Sequence, residues 1–216
     1  MNIYLSSTSG TSFDLISTLS PHFQSVAGEI IKFASPHVKP TPEGHKDFNW
    51  TTFKDAIDRL PGVEMVIEGF NSPQTAKVAF NDLPSRCADS LIKPLSMPID
   101  QQTLIEGLKK GFTDLKSGKE HGWADFRQIS AGEPSKIPFF PPKVPPTYGW
   151  EYRTFVLADN RSRDSDVVAM VATFLLGSSK LAKEEDWYQL DPDSSEEITL
   201  DLKSMKLGVE QGFTAP

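Results

Sequence analysis

Along the first half of the chain apolar residues recur every three or four positions; along the second they alternate or run together, which predicts helices first and strands second. Ser20 followed by Pro21 marks a helix start, and Phe23, Val26, Ala27, Ile30 and Ala34 carry it to about Ser35. The prolines and glycine between Pro36 and His45 predict a loop. Trp50, Phe53, Ile57 and Leu60 then share one helical face that Pro61 and Gly62 end, completing a helical hairpin. Val63 to Phe70, with Met65, Val66 and Ile67 at its centre, reads as a strand. Ser72 and Pro73 repeat the capping signal and predict a helix through Val78, Phe80 and Leu83, broken at Pro84 and resumed at Ala88, Leu91 and Ile92. Asp100 caps a further helix, with Ile105, Leu108, Phe112 and Leu115 on one face, that ends near Gly118 and closes a second hairpin.

From Trp123 onward the segments are strand-like: Trp123 to Ile129, Trp150 to Ala158, Val167 to Leu176, Trp187 to Leu190 and Ile198 to Val209. Helices followed by strands predict an α+β chain, a three-layer α/β/α arrangement with an antiparallel sheet between the two helical hairpins. In the last strand apolar residues change phase from Ile198, Leu200 and Leu202 to Met205, Leu207 and Val209, so a bulge near Lys203 and Ser204 is expected. Residues 130–146 form a long connection with six prolines, read as a cover over a sheet edge or as a partner-facing segment. The whole of 1–216 is expected to be one domain.

The run from Val167 to Leu176 is the most informative. A sheet with one wet face alternates apolar and polar residues, whereas this run is apolar on both sides and must be covered on both. It is too short for a membrane helix but as long as a tilted membrane strand. A central strand between two helical layers needs nothing more; the sharper reading is that the covers move.

Composition narrows the classes. A net charge of −7 over 216 residues excludes a nucleic-acid partner, because phosphate neutralisation needs clustered lysine and arginine. Between Leu181 and Glu210 nine acids face three lysines, so nearly all the excess lies near the C-terminus. Neither an apolar helical span nor a secretory leader is visible, which makes the cytoplasm the expected place of synthesis.

Catalytic and metal signatures are weak. His22, His37, His45 and His121 lack metal-ligand spacing, and no phosphate-cradling or nucleophile-elbow motif occurs, so no metal and no cofactor are expected. Asp164 with Asp166, and Glu184 to Asp186, read as solvated turns. Cys87, the single cysteine, stands beside Arg86, which would lower its thiol pKa and make it a candidate acylation point; the plainer reading is a small buried hydrophobe. Arg161, Arg163 and Asp166 leave an enzyme as a third class, although no nucleophile and base assemble from the sequence.

The order of parts resembles the Cyt-type δ-endotoxins and fungal volvatoxins. The likeness is strongest from Ile99 to Phe213: Ile99-Asp100-Gln101 leading to Phe112-Thr113-Asp114-Leu115, then Trp123 and Phe126, then Glu151 to Ala158, then Ile198 to Leu207. What the resemblance implies is a cytolytic, pore-forming protein that is not an enzyme. It would be released to bind the lipid membrane of a target cell, swing its helical layers away and self-oligomerise through inserted strands. On that expectation Phe155, Val156, Leu157, Val167, Val168, Met170, Val171, Phe174, Leu175 and Leu176 are the inserting residues, and Leu104, Leu108, Phe112 and Leu115 form the face of a helical lid. The alternative on the same scaffold is an intracellular carrier holding a fatty-acyl-like ligand between sheet and helices.

Overall fold

The computed structural model describes residues 4–5, 11–62, 64–115, 121–130, 146–160, 166–178, 180, 187 and 195–216. In chain order the strands are β1 (Tyr4–Leu5), β2 (Asp14–Ser17), β3 (Val38–Pro40), β4 (Lys46–Phe48), β5 (Met65–Ala79), β6 (Ala124–Ser130), β7 (Thr147–Asp159), β8 (Val167–Ser178) and β9 (Glu197–Val209). The α-helices are α1 (Gln24–Ala34), α2 (Trp50–Asp58), α3 (Leu83–Leu95) and α4 (Gln101–Leu115).

The main sheet runs β1-β2-β7-β8-β9-β5, and β6 also pairs with β7. Every pairing in it is antiparallel except β2 with β7, which is parallel. One core packs α3 and α4 against Val156, Met170, Phe174 and Leu200. A second packs α1 and α2 against Phe155, Leu157, Val171 and Leu207 on the opposite side. The chain is thus a three-layer α/β/α arrangement, as its hydrophobic pattern predicts.

Three expectations on these segments are corrected. Residues 36–45 are not only loop: Val38–Pro40 and Lys46–Phe48 pair as a small hairpin. The helix expected from Ser72 is instead the second half of β5, a 15-residue strand. Ala76, Val78 and Phe80 step by two toward the core, while Thr75 and Lys77 are exposed. Residues 72–73 lie in a register shift between Asn71 and Gln74, and β5 closes the sheet, so a proline is tolerated at a bulge on an edge strand. Pro84 stands in the first turn of a continuous α3, where it lacks no required donor, so the helix is not broken there.

The irregularity expected near Lys203 and Ser204 lies in the pairing with β5, where two residues between Asn71 and Gln74 face Lys203 alone. β9 against β8 is in regular register from Val167↔Val209 to Gly177↔Thr199, so the extra residue belongs to β5. The phase change has another cause. Ile198, Leu200 and Leu202 enter the core under α3 and α4, whereas Met205, Leu207 and Val209 enter the core under α1 and α2. A doubly covered strand can change its apolar face without a change of pleat. The proline-rich stretch at 131–145, Gly118, and Arg161 and Arg163 lie outside the described residues, as do 188–190 of the expected strand. Trp187 has helical backbone and packs perpendicular to Phe80 at 5.4 Å.

Candidate functional site

The four strands β7, β8, β9 and β5 are neighbours of 13, 12, 13 and 15 residues. A tilted membrane strand needs about 9–11. Of the ten residues predicted to insert, Phe155, Val156, Leu157, Val167, Val168, Met170, Val171, Phe174 and Leu176 are 1% exposed or less. They divide between the two cores by parity: Val156, Val168, Met170, Phe174 and Leu176 lie under α3 and α4, while Phe155, Leu157, Val167 and Val171 lie under α1 and α2. Leu175 is half-buried and lines a cavity on the α1–α2 side.

The predicted lid residues Leu104, Leu108, Phe112 and Leu115 are all buried on the α3–α4 side. Asp100 caps α4 as expected, its Oδ2 accepting from the Thr103 backbone at 2.9 Å. Phe112 meets the sheet edge-on, 5.4 Å from the Tyr152 ring and 6.4 Å from that of Phe174. Gly107 and Gly111, one turn apart, bring the helix this close. A Cβ at Gly107 would stand 2.9 Å from the Ile16 side chain, and one at Gly111 2.6 Å from Tyr152 Oη. Burying four such side chains stabilises the packed layer by roughly 1.5–3 kcal/mol each.

Beneath α4 lies a polar pair that the sequence reading missed. Tyr152 Oη donates to Asp14 Oδ2 at 2.6 Å, and both residues are buried. Burial holds the Asp14 carboxyl above its usual range despite the hydrogen bond from Tyr152.

On the α1–α2 side the β6 end of the sheet is charged. Arg153 is 0% exposed and donates to Asp125 at 2.5 Å, to Glu151 at 3.3 Å, and to the Ser12, Lys46 and Gly122 carbonyls. Arg127 reaches Asp47 at 2.5 Å and Glu151 at 2.7 Å. Burial, then the neighbouring Asp47, pushes the Glu151 carboxyl up to about 7 against the pull of both guanidinium groups. Beside this network a cavity of about 280 Å³ is lined by Asp47, Trp50, Glu151, Leu175, Asp201 and Lys203, among others. The Lys203 ammonium lies 4.9 Å from the Trp50 ring centre and 5.5 Å from that of Phe70, and burial lowers its pKa. A second cavity, about 340 Å³, is bordered by Lys46, His121, Asp125 and Trp150. The wall of the first mixes Phe48, Trp50, Phe174, Leu175 and Leu202 with charged side chains, and that of the second is mostly polar.

Cys87 is fully buried on α3, and burial pushes its thiol far above the ordinary range, opposite to the lowering expected from Arg86. Among the described residues no three His, Cys, Asp or Glu side chains gather as a metal site. No described helix is long and apolar enough to cross a membrane.

No protein-family model and no curated protein matches the sequence. Solved structures do match. The crystal structure of activated Cyt2Ba monomer from Bacillus thuringiensis subsp. israelensis superposes with a TM-score of 0.69 at 12% identity, over 93% of this chain and 98% of that one. A δ-endotoxin structure superposes with a TM-score of 0.71 at 12% identity, over 100% of this chain and 89% of that one. The chain therefore has the Cyt-toxin fold.

Proposed function

We propose that this Cyt-fold chain permeabilises lipid membranes by exchanging its helical cover for lipid and for other copies of itself. The observation that carries the reading is β8, ten of whose twelve residues are buried between strands of similar length. Such strands are stable in water only beneath two helical layers, and in lipid only when their backbone edges are paired. The endotoxin name carried by the second similar structure supports the same reading.

Self-assembly follows from the edge. β5 ends the strand order, so once uncovered and inserted its outer backbone groups need a partner strand, which a second copy supplies. The acidic composition gives no general pull toward anionic lipid, so entry is driven by apolar burial and proceeds without a cofactor or catalytic step.

Dye release from phosphatidylcholine vesicles, with and without phosphatidylglycerol, tests this. Release that rises steeply with protein concentration is expected. Folded protein that releases no dye from either vesicle at any concentration between pH 5 and 8 overturns the reading.

A further inference from the structure

We infer that in the membrane state the sheet is oriented by polarity: the side now under α3 and α4 meets the lipid chains, and the side now under α1 and α2 faces water. This rests on the membrane reading above and adds to it which face does what.

Parity separates the two surfaces. On the α3–α4 side β8 presents Val168, Met170, Ala172, Phe174 and Leu176, flanked on β9 by Ile198, Leu200 and Leu202, all buried in one core. On the other side the pairing lines up Arg153, Thr173 and Lys203 in one row, and Glu151, Leu175 and Asp201 in the next. The rows toward the other end, Phe155 with Val171 and Met205 and Leu157 with Ala169 and Leu207, are apolar, so the water-facing assignment rests on the charged end. The polar character continues on β5, where Thr75 donates to Asp201 and Lys77 pairs with Glu197 at 2.8 Å. A lysine or arginine facing lipid at the bilayer midplane costs about 2–4 kcal/mol and a carboxylate less, so four charged residues in two adjacent rows disfavour contact of that part of the side with the lipid chains. Lining water, Arg153 and Glu151 keep their ion pair, and the cavity beside Glu151 and Lys203 already lies on this side.

Two details on the α3–α4 side fit a lipid contact. Tyr148, Trp150 and Tyr152 project from that side at one end of β7, where membrane barrels carry aromatic girdles; Phe126 of β6 stacks on Tyr148 and meets Trp150 edge-on. The Trp150 indole N–H is buried with no hydrogen-bond partner among the described residues, a donor that a headgroup or interfacial water would satisfy. Lys206, the cation on this side, pairs with Glu68 at 3.1 Å near the opposite end of the strands, within reach of the other interface. The layer that must leave is therefore α3 with α4.

The test uses the unmodified chain. Protein bound to phosphatidylcholine vesicles, with dye release recorded on the same sample, is photolabelled by a diazirine probe confined to the hydrocarbon phase and mapped residue by residue by mass spectrometry. Labelling at Met170, Ala172, Phe174 and Leu176, with none at Val171, Thr173 and Leu175, is the expected result. In the water-soluble form the first four are buried and stay unlabelled. Labelling on the opposite parity, on both parities alike, or on none while dye is released overturns the face assignment. Absence of dye release overturns the membrane reading itself, which separates the two failures.

Discussion

Tyr152 and Asp14, 138 positions apart, share a buried 2.6 Å hydrogen bond that fastens β2 to β7 directly beneath α4. Tyr152→Phe removes the donor and leaves a carboxyl oxygen buried without it. The expected loss is about 1–3 kcal/mol of stability, read from urea denaturation midpoints. An unchanged midpoint would show that Asp14 finds another partner.

The same pair limits how α4 can pack. A Cβ at Gly111 would stand 2.6 Å from Tyr152 Oη and 3.0 Å from Asp14 Oδ2. Gly111→Ala is therefore expected to cost about 1–3 kcal/mol through overpacking. Combined with Tyr152→Phe, which deletes the clashing oxygen, its cost should shrink, and a double-mutant cycle by denaturant unfolding measures that coupling.

Most of the architecture was legible because long-period and short-period patterns separate cleanly along the chain. Phe53 and Ile57 mark one helix, Leu108 and Phe112 another, and the unbroken run from Val167 announces a strand covered twice. What escaped depends on partners far away in sequence. Asp14 to Ser17 is too short to stand out, and its parallel pairing with β7 exists only in the folded sheet. Ser72 and Pro73 carry the same local signal as Ser20 and Pro21, but here an edge-strand bulge absorbs the proline. The charged cluster of Asp125, Arg127, Glu151 and Arg153 was missed because each sits singly in a strand otherwise read for its apolar residues. A period-two reading of Asp125 and Arg127 against Glu151 and Arg153 would have placed all four on one face.

Glu151 makes stability depend on pH in a stated direction. Its carboxyl is raised to about 7 from an ordinary 4.5, so the folded chain binds this proton more tightly than the unfolded chain. The associated stability is full below about pH 4.5 and falls as pH rises through about 7. Its size is on the order of 3 kcal/mol. Thermal unfolding of the wild type and Glu151→Gln across pH 4 to 8 checks the slope: the wild type should lose stability relative to the variant over that window. Parallel curves would mean that the folded and unfolded chains bind the Glu151 proton equally.

Opening of the α3–α4 layer is the central claim, and a reducible tether tests it. Gly107 on α4 faces Ile16 on β2, with an ideal Cβ at Gly107 only 2.9 Å from the Ile16 side chain, so Ile16→Cys with Gly107→Cys places two thiols within bonding reach. The measurement is dye release from phosphatidylcholine vesicles by this double variant in a Cys87→Ala background, oxidised and then reduced. The oxidised protein should be silent and release should return on adding reductant. Equal release from both forms would contradict layer opening.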